Sequence, residues 1–312
     1  MQRNSSITLI ILIIVCITYS QSAPDDTMQT HRRIPLALIS SGAVSLGSYQ
    51  AGYHYYSVEW LKLNRDKIDV KIVTGASAGA INALLTVFSL ADTISPVDTS
   101  SFFYKAWIPI GIDYFKECTD SRGLFNRSRM NSIADAVLDS AFYKLQTKSM
   151  NANVMDLVLA LTVNRNDPIC EKLGELNIPR SKDAFVVKVD KVENRPVEFR
   201  NYYYKDLNLL WNFLQLKKSA PENDPDNIRI LKSLIYASSA FPLAFPPFDH
   251  LNVMTINTHQ CFANLSEDEL QNIDIWEYAF RECSATITQP VLSDGGLYNN
   301  EPIRLAYKLV SH

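Results

Sequence analysis

Residues 70–91, VKIVTGASAGAINALLTVFSLA, constrain this chain more than any other stretch. Val70 to Thr74 is a short run rich in β-branched residues. Gly75-Ala76-Ser77-Ala78-Gly79 follows at once, and Ala80 to Leu90 reads as an apolar helix. Strand, Gly-x-Ser-x-Gly, helix is the layout of a nucleophile elbow, a sharp turn that lifts a serine above the edge of a sheet. A serine on such a turn holds strained backbone angles. The strand and helix it joins pass so close that the residues two before and two after must lack bulk, as Gly75 and Gly79 do. The helix that begins there directs its N–H groups and positive dipole end at charge developing on a substrate. Ser77 is therefore the candidate nucleophile. The structural alternative is a glycine-punctuated turn with an incidental serine.

A second unit of the same kind precedes it. Ile34 to Ile39 is fully apolar, as a strand buried on both faces should be. It runs into the small-residue loop Ser40 to Gly47, and an aromatic-rich helix is expected from Ser48 to Asn64. Two successive β-loop-α units predict an α/β fold with a mostly parallel central sheet flanked by helices in three layers. Asp92 to Lys182 reads as a helical insertion or cap in the middle of the chain (92–184), with helices over Asn131 to Tyr143 and Met155 to Thr162. Ala184 to Val192 and Arg195 to Tyr202 alternate like paired strands. A helix over Ile228 to Ala240 leads into Phe241 to Phe248, whose three prolines predict a rigid irregular loop. Pro290 to Leu292 reads as a short strand that delivers Ser293-Asp294-Gly295-Gly296, and Pro302 to Val310 as a closing helix.

The amino terminus is set apart from this domain. Ile7 to Tyr19 is an apolar run after Arg3, and Ser20 to Ala23 supplies small residues near a cleavage point. The run is shorter than the roughly 18 apolar residues of a spanning helix. The expected organisation is a signal peptide over 1–23, a polar linker over 24–33 and one domain over 34–312, in a secreted or extracytoplasmic protein. With the leader removed, Cys118, Cys170, Cys261 and Cys283 remain, and four cysteines allow three connectivities. Cys261 and Cys283 are the nearer pair and lie around an inserted-looking segment. Asn126 and Asn264 begin glycosylation acceptor triplets. The net charge of -3 and the absence of a basic block argue against a nucleic-acid partner. No metal-ligand spacing, cofactor motif or obligate protein partner is evident.

Three separated stretches carry one further pattern. Gly42-Ala43-Val44-Ser45-Leu46-Gly47 with Tyr49-Gln50-Ala51-Gly52, then Gly75 to Gly79, then Asp294-Gly295-Gly296 with Asn300 and Pro302, resemble in order and setting the patatin-like phospholipase family. Ala237-Ser238-Ser239-Ala240-Phe241-Pro242 is similar to that family's segment ahead of its last motif. The resemblance covers the chain from about Ile34 to Tyr307 and is loosest over Asp92 to Asn227.

The resemblance implies a lipid acyl hydrolase, of phospholipase A, lipase or esterase type, acting on lipid at a membrane surface. It implies a serine and aspartate pair with no cofactor, in which Ser77 is the nucleophile and Asp294 takes its proton. Backbone N–H groups at Gly42, Ala43 and Val44, with that of Ala78, would form the oxyanion hole. Gly47, Gly75, Gly79, Gly295 and Gly296 would support the motifs. Ala43 and Val44 stand where relatives often carry glycine, and a positive φ at Ala43 would strain the loop.

Other readings stand beside this one. Most esterase elbows use a histidine, and His250 and His259, after the proline-rich loop, are the histidines placed for such a triad. A non-catalytic lipid-binding or interaction protein on the same fold would need neither Ser77 nor Asp294. An acyltransferase would use the same pair with an alcohol acceptor in place of water. Apolar residues in Tyr53 to Leu61 and Phe241 to Phe248 could line an acyl groove, although core packing is the commoner role of such stripes.

Overall fold

Alternate residues of the strand Ile34–Ser40 belong to two different cores. Leu36 and Leu38 pack in one hydrophobic cluster, and Ala37 and Ile39 in a second. The same alternation runs through the neighbouring strands, with Leu157, Leu159 and Leu161 on one side and Val158 and Ala160 on the other. Successive side chains of a strand point to opposite faces, so a sheet covered on both faces needs strands that are apolar throughout. This explains the unbroken apolar runs of the sequence.

The computed structural model describes residues 15–16 and 33–310, apart from 44–45, 93–97, 111–122, 126, 147–154, 174, 192–196, 204–209, 218–224 and 284. The leader and linker expectations, Val44 and Cys118 lie outside the described residues, except for β1 (Val15–Cys16), which pairs antiparallel with Leu36 and Ala37. β2 (Ile34–Ser40), β3 (Ile68–Gly75) and β4 (Met155–Leu173) are parallel to one another. β5 (Leu176–Lys191) and β6 (Glu198–Asn201) continue the sheet antiparallel. β7 (Leu210–Leu214), β8 (Val253–Asn257) and β9 (Thr286–Thr288) form a smaller antiparallel sheet, and β10 (Leu292–Asp294) returns to pair with β4.

One face of the main sheet carries α1 (Gly47–Leu63), α2 (Ala78–Ala91), α3 (Phe102–Trp107), α4 (Ser128–Gln146) and α5 (Pro225–Ser238). The other carries the small sheet with α6 (Thr258–Cys261), α7 (Glu267–Asn272), α8 (Ile275–Glu282) and, beyond the short α9 (Gly296–Asn299), the closing α10 (Ile303–Val310). The result is a three-layer α/β fold, with a parallel core and antiparallel edges. Helix α2 is largely apolar because it lies inside the first layer, where all but Ile81 of its residues are buried. Among the described residues no helix is long and apolar enough to cross a membrane.

One local expectation is overturned. Met155 to Thr162, expected as a helix, is the first half of β4, flanked by β3 and β5. A short apolar run has no period that separates a buried strand from a buried helix, and the partners on both edges decided it. The middle of the chain thus supplies interior strands of the sheet as well as α3 and α4. Cys261 and Cys283 form a disulfide with Cα atoms 5.4 Å apart, closing the excursion that holds α6, α7 and α8. Cys170 is a free, exposed thiol.

Candidate active site

Two strands meet head to head on one edge of β4. β3 runs parallel to β4 and ends with Gly75 opposite Leu161. β10 runs the other way along that edge and ends with Asp294 opposite Val163. The two ends are separated along β4 by Thr162 alone, about 7 Å at the usual rise per residue. The loops that leave these ends carry Ser77 and Gly295.

The elbow at Ser77 has the expected form. Ser77 holds φ 55° and ψ -127° immediately before α2, a region that costs a non-glycine residue about 1–3 kcal/mol. The turn is closed by the Ala76 N–H donating to Ser40 O (3.2 Å) and the Gly79 N–H to Ala76 O (2.8 Å). A Cβ on Gly75 would collide with the Gly79 carbonyl, and one on Gly79 with the carbonyls of Ser40 and Ser41. The glycines are fixed by close approach of three backbones. Gly47 opens α1 against the Trp107 ring, which leaves no room for a side chain.

Ser77 Oγ donates to Asp294 Oδ2 at 2.6 Å, and both residues are buried, at 6% and 1% exposure. The other carboxylate oxygen, Oδ1, accepts the Gly296 N–H at 2.7 Å. Burial raises the Asp294 pKa above the ordinary carboxylate value, while the Ser77 hydrogen bond, the Gly296 N–H and the Arg127 charge pull it back. A Cβ on Gly296 would sit 2.9 Å from both Asp294 Oδ1 and Asn300 Oδ1, and one on Gly295 would run into Thr162.

Two residues that had no role assigned from sequence stand around this pair, Ser238 bonding it and Arg127 acting on it electrostatically. Ser238 Oγ donates to Thr162 O (2.7 Å) and accepts the N–H of Ser77 (3.2 Å), while Ser238 O accepts the N–H of Gly295 (3.1 Å). The Asp294 N–H donates to Ala240 O at 3.0 Å. The end of α5 and the residues just after it are therefore bonded to the backbones of both Ser77 and Asp294. Arg127 reaches the same segment, donating to Tyr236 O (2.8 Å) and Ser239 O (3.5 Å) with its guanidinium over the Phe245 ring. Burial lowers its pKa to about 10, and it acts electrostatically on Asp294. Ser238 lay within the family-like stretch, but Arg127 had no sequence signal beyond its place in a glycosylation triplet.

The first loop departs from expectation at Gly42. Its N–H, expected as an oxyanion donor, is given to Asn300 O at 3.1 Å. Gly42 instead provides clearance, since a Cβ there would lie 3.1 Å from Ser77 Cβ and collide with Asn300 Oδ1. The N–H groups of Ala43 and Ala78 have no acceptor among the described residues. Ala43 keeps a negative φ, so the anticipated strain is absent.

No described histidine ring bonds to Ser77. His250 is exposed and lies 3.2 Å from Asp249, against the Phe248 ring. His259 lies on α6 in the second core's layer. His54 is buried between Ser40 and Thr86, and burial lowers its pKa to about 4. Among the described residues no cluster of three His, Cys, Asp or Glu side chains fits a metal ion.

Neither curated proteins nor solved structures contain a match to this chain. The sequence pattern of one family does match, over residues 38–307, a span that takes in the first loop, the elbow and the Asp294 turn. With most of its length so matched, the chain belongs to the patatin-like phospholipase family, whose activity is lipid acyl hydrolysis.

Proposed function

We propose that this protein is a serine-dependent hydrolase of carboxylic esters in lipids, working through an acyl-enzyme on Ser77 with Asp294 as base. The observation that carries the reading is the 2.6 Å hydrogen bond from Ser77 Oγ to Asp294 Oδ2 in a buried setting. A free carboxylate near its usual pKa of about 3.9 is a weak base for an alcohol. Burial narrows that gap by raising the Asp294 pKa, and the Gly296 N–H and Arg127 keep the group ionised and aimed. Ser77 Oγ attacks the ester carbonyl carbon as its proton passes to Asp294. The carbonyl oxygen becomes negative and is met by the N–H groups of Ala78 and Ala43, the first of them at the positive end of α2. Collapse releases the alcohol with the proton from Asp294. Water, deprotonated by the same carboxylate, then frees the fatty acid and restores Ser77.

The same reading puts the protein outside the cytoplasm. The apolar leader supports this, as does the Cys261–Cys283 disulfide, since such bonds persist in oxidising compartments.

The test is labelling with a fluorophosphonate probe together with hydrolysis of p-nitrophenyl butyrate. The wild type is expected to react with both and Ser77→Ala with neither. Labelling that persists in Ser77→Ala, or a wild type inert to both, overturns the proposal.

A further inference from the structure

Three segments converge on the reactive pair, and each runs on into exposed apolar side chains. The first loop, which passes Ser77 at Gly42, continues into Leu46 and Tyr49. The Asp294 turn continues into Leu297 and Tyr298 on α9. The segment after α5, whose Ala240 carbonyl accepts the Asp294 N–H, continues into Phe241 and Leu243. None of the three carries a charged residue over these stretches (42–49, 295–300 and 241–248).

The third segment is built at a cost that folding does not explain. Leu243 holds φ 69°, a left-handed conformation that a leucine rarely adopts, and its side chain is nevertheless 78% exposed. The turn is fixed from two sides. The Phe245 N–H donates to Phe241 O at 2.9 Å, while Leu243 O and Ala244 O accept the N–H groups of Leu124 (2.8 Å) and Phe125 (2.9 Å). A Cβ on Gly123 would lie 2.8 Å from Pro246, so the two loops touch along their backbones. The Phe245 ring is held beneath the Arg127 guanidinium and near the Phe125 ring. Leu124, across from Leu243, is 66% exposed. Two leucines are thus held in water on a braced, strained turn one short step from the reactive pair. Such strain persists where the surroundings enforce it and clusters where a ligand is met.

We propose that Leu124 and Leu243, on these two paired loops, insert into a lipid surface and seat the molecule with Ser77 facing it. The proposal rests on the hydrolase reading, since it takes that surface to carry the ester. A lipid surface accepts separate leucines without a matched shape. A protein partner of a stable complex covers about 800 Å² on each side, whereas Leu124, Phe125, Phe241 and Leu243 together expose on the order of a few hundred Å². With no charged residue in the exposed stretches, attachment comes from apolar burial and not from attraction to anionic headgroups. Each leucine fully inserted is worth about tenfold in binding.

The test uses Leu124→Ser/Leu243→Asn, because asparagine tolerates the left-handed conformation, with Leu124→Ser alone as the milder variant should the pair fail to fold. Sedimentation with phosphatidylcholine vesicles is measured on Ser77→Ala protein, so that no catalysis is needed. Binding is expected to survive about 1 M salt and to weaken at least about tenfold when the two leucines are also replaced. With Ser77 present, hydrolysis of vesicle phosphatidylcholine is expected to fall at least about tenfold relative to hydrolysis of soluble p-nitrophenyl butyrate. Vesicle binding that is absent, unchanged in the folded variant, or dependent on added phosphatidylglycerol and lost in salt overturns the proposal. So does a wild-type dimer that the variant converts to monomer without any vesicle binding, which makes a second copy the occupant. Vesicle binding that needs the leucines in a protein whose wild type cleaves no ester refutes the hydrolase reading and leaves the docking surface supported.

Discussion

Ser77 Oγ donates to Asp294 Oδ2 at 2.6 Å although 217 residues separate the two in the chain. The contact exists because β3 and β10 run into each other along β4, leaving Thr162 between their ends. Asp294→Asn keeps an oxygen to accept from Ser77 but removes the proposed base. Ester hydrolysis is expected to fall at least about 1000-fold with the fold intact. The same substitution reports on stability. The folded Asp294 pKa is raised above 3.8, so the carboxyl's favourable contribution is present below that value and is lost as pH rises through the folded pKa. Asp294→Asn is therefore expected to melt higher than wild type at neutral pH, with the gain shrinking as pH is lowered toward 3.8. Calorimetry across pH checks it.

Ser238 is the joint of the site, because its hydroxyl bonds Thr162 O and the Ser77 N–H together. Ser238→Ala leaves a buried acceptor and a buried donor unpaired, at a cost of about 1–3 kcal/mol in chemical denaturation. The strained Ser77 backbone loses its anchor, so kcat is expected to drop about 10- to 100-fold with KM little changed, as befits a positioning residue. A drop confined to stability would show that Ser238 acts only on the fold.

Arg127 is the charged side chain acting on Asp294, whose other close partners are the Ser77 hydroxyl and the Gly296 N–H. A nearby cation favours the ionised carboxylate, so Arg127→Met raises the Asp294 pKa further. The acid limb of kcat/KM against pH is expected to move to higher pH. A limb that stays in place would show that Arg127 serves the α5 carbonyls alone.

His54 links the first loop to α2. Thr86 Oγ1 donates to Asn82 O, so it accepts from His54 Nδ1–H, and His54 Nε2 accepts from Ser40. The ring is thus held neutral, and its pKa is lowered from 6.5 to about 4. Its contribution is present above 6.5 and is lost as pH falls through the folded value, a loss of about 3 kcal/mol at most. Urea midpoints of wild type and His54→Gln at pH 7 and pH 4, bracketing about this window, are expected to show a larger acid loss in wild type.

Much of the site was legible because its motifs are local. Gly75 and Gly79 announce a turn in which three backbones touch, and β2, β3 and α1 fall within a few residues of where period and punctuation put them. Asp294 and the first loop became legible through resemblance to a family. Met155 to Thr162 was misread as helix, since an apolar run carries no trace of its edge partners. The Gly42 N–H was misjudged for a related reason, because its acceptor, Asn300 O, belongs to the far end of the chain.

The sequence by itself determined the elbow, because small residues and a strand-to-helix switch within one short stretch are local constraints on backbone geometry. It also singled out Ser77 as the candidate nucleophile, while Asp294 came only through the resemblance to a family. Only the tertiary structure decided that Asp294 bonds Ser77 directly, that Ser238 bonds the Ser77 backbone and that Arg127 acts electrostatically on Asp294. Each of these depends on which strand edges pair and how helices from distant parts of the chain pack. Such long-range register is fixed by the whole core rather than by any local run of residues.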